Sequence, residues 1–305
     1  MGFGSCLHYG GQEPKFVGTE GCMNNLITRT ITGIVYVVVM VLGMMRPDTI
    51  ILLFALITGL TMWEYTGLVN DIDGVRVNRF ISTIAGVYLV AAVALWRIGM
   101  VDFRVFLPYI LTIVYMFVEE LYLKQKNPIN DWAYTMLGQM YVALPFSLIF
   151  FLAFQIDAMN NASFEMLVPL CLFVFLWAND TGAYCTGSLL GRHKLFPRIS
   201  PGKTWEGSVG GAVLVLIVAG AVGYLANKDM NNPHLLSITQ WLGLGLVVVV
   251  FGTWGDLVES LFKRTLGIKD SGNILPGHGG MLDRFDSSLL AIPAAVMYLY
   301  FITLK

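Results

Sequence analysis

Nine runs of apolar residues alternate with short polar stretches, at roughly 30–45, 49–69, 80–98, 105–123, 132–155, 165–190, 208–226, 237–262 and 285–304. Most approach the about 20 apolar residues that a helix needs to cross a hydrocarbon core. A backbone in that environment must satisfy its own hydrogen bonds. Long single runs without barrel-type alternation do so only as helices. The pattern predicts an all-α polytopic membrane protein with about nine transmembrane helices. One membrane domain is expected over residues 26–305, behind a polar tail at 1–25.

Composition agrees. Of 305 residues, 56% are hydrophobic and only 13% charged, against about 25% charged in a soluble domain. The formal net charge of −1 points to no particular partner, and no nucleic-acid partner is expected. Cys6, Cys22, Cys171 and Cys185 lack metal-ligand spacing and read as small buried or tail thiols. The Gly-rich tail has no apolar h-region, so it is not a signal peptide. Cys6 stands where a myristoylation motif wants Ser or Thr. Met23 reads as a plausible true start, which leaves the tail without an expected function.

Charge distribution sets the orientation. With nine spans and a cytoplasmic N-terminus, 14 of the 19 Lys and Arg residues fall on the inner side, as the positive-inside rule asks. Two inner stretches, 191–206 and 263–286, carry 8 of those 14 charges. They also hold most of the Gly, Pro and His residues between spans, so catalytic loops are expected on the cytoplasmic side.

The second of these stretches carries the densest chemistry. Asp256, Glu259, Ser260 and Lys263 share one face of a helix leaving the membrane. A loop with Gly272, Pro276, Gly277, Gly279 and Gly280 follows, whose backbone amides can approach an anion closely. Asp283 and Asp286 then sit three apart where the last helix begins. Hard carboxylate ligands of this kind suit Mg²⁺, which binds through one or two of them plus substrate phosphates.

In the first stretch, Gly202-Lys203-Thr204 looks like the end of a Walker A motif, but Pro197 stands where that motif needs Gly. What remains is a lysine and a turn at the mouth of a helix near Trp205, a reasonable phosphate seat. Arg192, His193, Lys194 and Arg198 also fit a basic loop drawn to anionic lipid. Asp180 lies inside the sixth run, about 15 Å from its inner end at 1.5 Å per residue. An ionisable group there faces a cavity or a partner. Glu64, Glu119 and Glu120 lie in spans without motif company, and fit helix–helix contact as well as function. Trp63, Tyr65, Trp96, Tyr122 and Trp132 are placed as interfacial anchors.

The spacing Ser260-x2-Lys263-Arg264-x4-Lys269-Asp270-x-Gly272-x2-Leu275-Pro276-x-His278-Gly279-Gly280-x2-Asp283-Arg284-x-Asp286 resembles the signature of the phosphatidate cytidylyltransferase (CDP-diacylglycerol synthase) family, with no departure. The resemblance extends to Asn179–Gly182 and Ser200–Gly207. It implies a nucleotidyltransferase that moves CMP from CTP to phosphatidate, giving CDP-diacylglycerol and pyrophosphate. It further implies Mg²⁺, with room for a second, monovalent cation, and a homodimer embedded in membrane lipid. The compartment would be the plasma membrane in a bacterium, with the site facing the cytoplasm.

On this reading Asp256 and Asp283 hold the metal, with Asp286 and Asp180 as further ligands or supports. Lys263, Arg264, Lys269 and Arg284 clamp phosphates, and His278 is an acid or base or only shapes its turn. Lys203, Thr204, Ser260, Gly279 and Gly280 line the phosphate site. The competing readings are a CTP-dependent polyprenol or phytol kinase, an ion-coupled transporter and a non-catalytic scaffold. The transporter is disfavoured because no paired broken helices occur in corresponding halves.

Overall fold

The computed structural model describes residues 7–8, 15–16, 19–156, 162–228, 236–272, 274 and 279–303, with side chains described between residues 30 and 302. A two-residue pair, β1 (Leu7–His8) and β2 (Lys15–Phe16), precedes α1 (Thr19–Met44). Then come α2 (Pro47–Asn70), α3 (Arg79–Ile98), α4 (Leu107–Leu123), α5 (Pro128–Gly138) and α6 (Leu144–Ala153). A π-helical turn, Gln139–Ala143, joins α5 to α6 without a break. The hairpin β3 (Phe154–Ile156) and β4 (Ala162–Phe164) leads to α7 (Leu167–Leu190). A second hairpin, β5 (Lys194–Phe196) and β6 (Ser200–Thr204), leads to α8 (Trp205–Ala226), α9 (Ile238–Thr265) and α10 (Met281–Thr303).

Among the described residues eight helices are long and apolar enough to cross a membrane, and Thr30–Met44 forms a shorter apolar helix. The protein is therefore a helical membrane protein. α4 and α8 bury the smallest share of their surface, as helices bordering lipid would. Local signals set the ends. Pro47 and Pro128 stand in the first turns of α2 and α5, where a missing N–H costs nothing. Asn78 caps α3, and Gly99, in the left-handed region, ends it. Ser237 and Gln240 form a reciprocal capping box on α9.

Two boundaries depart from the apolar runs. α9 continues to Thr265 and α10 begins at Met281, so the expected loop 263–286 contracts to 266–280. Lys263, Arg264, Asp283, Arg284 and Asp286 are thus helical residues. Hydropathy registers side chains, whereas the helix is propagated by backbone hydrogen bonds that polar residues make equally well. The stretch 191–206 likewise holds a hairpin, with helix starting at Trp205.

Aromatic packing fixes the last helix. Phe285 is buried and meets Phe146 edge-on at 5.5 Å between ring centres, with Tyr36 at 5.9 Å. This contact orients α10. On its other side α10 presses against α9 at Gly255, where an added Cβ would stand 2.6 Å from the carbonyl oxygen of Asp286. Only glycine permits that approach, and Asp256 is the next residue.

Candidate active site

The close approach at Gly255 brings Asp256 of α9 to Asp286 of α10, and the two interact electrostatically, as do Asp286 and Asp180 of α7. A cleft of about 230 Å³ opens here, lined among others by Asn179, Asp180, Lys203, Thr204, Thr253 and Asp256. Lys203 reaches in from β6, with its Nζ 2.6 Å from Asp256 Oδ2. Ser260, one turn along α9, donates its hydroxyl to Asp256 Oδ1 at 3.1 Å. Three helices and one strand thus converge on three carboxylates and a lysine. Arg284, exposed on α10, adds positive charge toward Asp180.

Beside this open cluster lies a closed one. Glu259 has no exposed surface, and Lys263 Nζ lies 2.8 Å from it and 2.5 Å from Asp283 Oδ1. Asp283 Oδ2 accepts from the amides of Ser271 and Gly280, each at 2.8 Å. Both oxygens of Asp283 are therefore engaged by protein donors. The expectation grouped Asp283 with Asp256 around a metal, but its bonds here tie it to Lys263. Lys263, expected at the phosphates, bridges two carboxylates and holds α9 to α10.

The other expected residues separate similarly. Thr204 lines the cleft, but its hydroxyl accepts from Gly207 N at 3.1 Å and caps α8. Arg264 is exposed and donates to Ile268 O at 3.2 Å. Lys269 is exposed. Gly279 adopts φ 83°, which suits glycine. His278 lies outside the described residues. In the basic loop, Glu206 accepts from the amides of Arg192 and His193 and pairs with His193 Nδ1 at 2.6 Å.

Glu64 had no motif company in the sequence, yet its carboxylate closes the signature loop. It is buried on α2 and accepts from Met281 N at 2.8 Å, Leu282 N at 3.1 Å and the hydroxyl of Ser271. In effect it caps α10 from another helix. Gly280 packs directly against it, so a side chain there would strike the carboxylate. Gly280, expected at the phosphates, makes room for this clasp. The only sequence signal was a carboxylate inside an apolar run; its partners lie more than 200 positions away. Glu64→Ala should strand two helix-end amides and a hydroxyl, at about 1–3 kcal/mol for each buried group left unpaired. A lowered thermal midpoint in detergent is expected, with a smaller loss for Glu64→Gln; an unchanged midpoint for Glu64→Ala would refute the clasp.

The arrangement suits a divalent cation in part. Among the described residues no three His, Cys, Asp or Glu side chains enclose an ion by themselves. Mg²⁺ does not need such a cage, because it takes one or two carboxylates and completes its shell with waters and phosphates. The Asp180, Asp256 and Asp286 carboxylates share one lysine in the cleft, a donor set of hard oxygens with charge to spare.

Comparison with known proteins identifies the family. The pattern of the cytidylyltransferase family matches residues 27–302. A phosphatidate cytidylyltransferase of Staphylococcus aureus (strain COL) is 34% identical over 274 residues, covering 87% of this chain and 95% of the relative. Another of that name, from Staphylococcus haemolyticus (strain JCSC1435), is 41% identical over 170 residues, or 56% of this chain and 60% of the relative. One from Staphylococcus epidermidis (strain ATCC 12228 / FDA PCI 1200) is 32% identical over 274 residues, with the same 87% and 95% coverage.

Proposed function

The chain belongs to the cytidylyltransferase family, and from that premise we propose that it is a membrane nucleotidyltransferase making CDP-diacylglycerol from CTP and phosphatidate. The observation that carries the site is the cleft lined by Asp180, Asp256 and Lys203, with Asp286 within the electrostatic reach of all three. In the reaction, an oxygen of the lipid phosphate attacks the α-phosphorus of CTP. The bond from that phosphorus to the oxygen bridging to the β-phosphate breaks, and pyrophosphate leaves. No protein nucleophile is needed, because phosphatidate carries about −1.5 to −2 charge near neutral pH.

The barrier lies in bringing two anions together in line. Asp256 and Asp286, with Asp180, would hold Mg²⁺. That ion, when bound, offsets phosphate charge and polarises the attacked phosphoryl group. Lys203, paired with Asp256 at 2.6 Å, would turn to a phosphate oxygen. Arg284, exposed near Asp180, would hold the leaving pyrophosphate, with Arg264 and Lys269 adding attraction from outside. Ser260 orients Asp256, and Thr204 fixes the start of α8, so both act on phosphates through other groups. Asp283 and Lys263 form the support that keeps the helix bearing Asp286 in place.

We further assign nine spans, counting Thr30–Met44, with the N-terminus and the cleft on the cytoplasmic side. The distribution of Lys and Arg supports that direction. Detergent-solubilised protein given phosphatidate and CTP labelled on the α-phosphate should move label into lipid only with Mg²⁺. Label reaching lipid from the γ-phosphate instead would mean a CTP-dependent kinase and would overturn the synthase reading.

A further inference from the structure

Among the described residues, the membrane-length helix Pro128–Ala153 is interrupted by a π turn at Gln139–Ala143. A π turn inserts a residue and redirects the side chains after it, and such turns concentrate at functional sites. This one is fastened on one side by Gln139. Its amide donates to Ser82 O at 2.8 Å and Ser82 Oγ at 3.1 Å, and its oxygen accepts from Tyr109 at 3.3 Å. Phe146, just after the turn, packs with its ring centre 5.5 Å from that of Phe285, the residue before Asp286, so the segment that follows the turn lies against α10 beside that carboxylate.

The Tyr141 hydroxyl is buried and makes no hydrogen bond to any protein group. The groups it interacts with electrostatically are Glu259, Asp286, Asp256 and Tyr65, in that order. Three of the four are carboxylates. A buried O–H left without an acceptor costs about 1–3 kcal/mol. A phenylalanine would fill the same space without that cost, so packing alone does not account for the hydroxyl. The hydroxyl therefore lies buried and unbonded within the field of both carboxylate clusters.

We infer that Tyr141 is a positioning residue of the metal site, its hydroxyl donating to a cation-bound water beside Asp256 and Asp286. The assignment of a cation to Asp180, Asp256 and Asp286 is its premise. Groups that orient metal-bound oxygens typically change metal affinity by about 10–100-fold when removed. The π turn gives this group a fixed position, since Gln139 locks the turn to α3.

The test uses the full chain in detergent, without CTP or phosphatidate, titrated with Mn²⁺ and followed by the signal of the free ion. The parent, Tyr141→Phe and Asp286→Asn proteins are compared, each with its thermal midpoint in the absence of metal. Tyr141→Phe should keep or raise the metal-free midpoint while binding Mn²⁺ about tenfold more weakly. In turnover, the Mg²⁺ concentration giving half-maximal rate should rise by a similar factor, with KM for CTP at saturating Mg²⁺ unchanged. Parent-like Mn²⁺ binding by Tyr141→Phe, whatever its midpoint, would make the hydroxyl structural and overturn the inference alone. Parent-like binding by Asp286→Asn, or no saturable binding by the parent, would overturn the cation assignment and this inference with it.

Discussion

Asp286→Asn is expected to lower CMP transfer by about a thousandfold or more, the scale on which a group stabilising transition-state charge is felt, while the protein stays folded. The reason lies in how little else the carboxylate does. One oxygen accepts from the adjacent Ser287 amide, and the charged groups acting on it include Asp256, Asp180 and Lys203. Three carboxylates around one lysine repel one another, so removing one charge relieves the fold while stripping the site. The metal-free thermal midpoint should hold or rise as activity falls. Label transfer from α-labelled CTP, run beside thermal unfolding in the same detergent, measures both. Turnover above about a tenth of the parent rate would remove Asp286 from the machinery.

Lys263→Met should give the opposite signature, a protein that loses stability first. It would leave Glu259, with no exposed surface, and Asp283, with an 8% exposed side chain, without their shared cation. Breaking a buried ion pair from one side costs about 3–5 kcal/mol. A sharp fall in the thermal midpoint is expected, and Asp283→Asn should fall with it, since it gives up Lys263 and weakens two amide contacts. Glu259→Gln combined with Lys263→Met should recover part of the loss, because it deletes a stranded charge rather than adding one. A Lys263→Met protein with the parent midpoint and little activity would move Lys263 from the support to the phosphates.

These contrasting expectations mark what each level of structure decides. Membrane character and the helices were legible in the order of residues, because the bilayer imposes a length and an apolarity that every span must meet by itself. The family was legible too, since its signature is a local string with fixed spacing, from Ser260 to Asp286. Helix ends were less so, because capping by Asn78, Thr204 and Ser237 is local but invisible to hydropathy. Grouping the acids could not be done from the string. Asp283 and Asp286 stand three apart, yet one binds Lys263 and the other turns to Asp256, because Phe285 buries the face between them and Gly255 lets α10 touch α9. Glu64 and Tyr141 escaped the motif altogether. Their roles depend on chain segments brought together across the bundle, and spacing carries no information about partners that only packing creates.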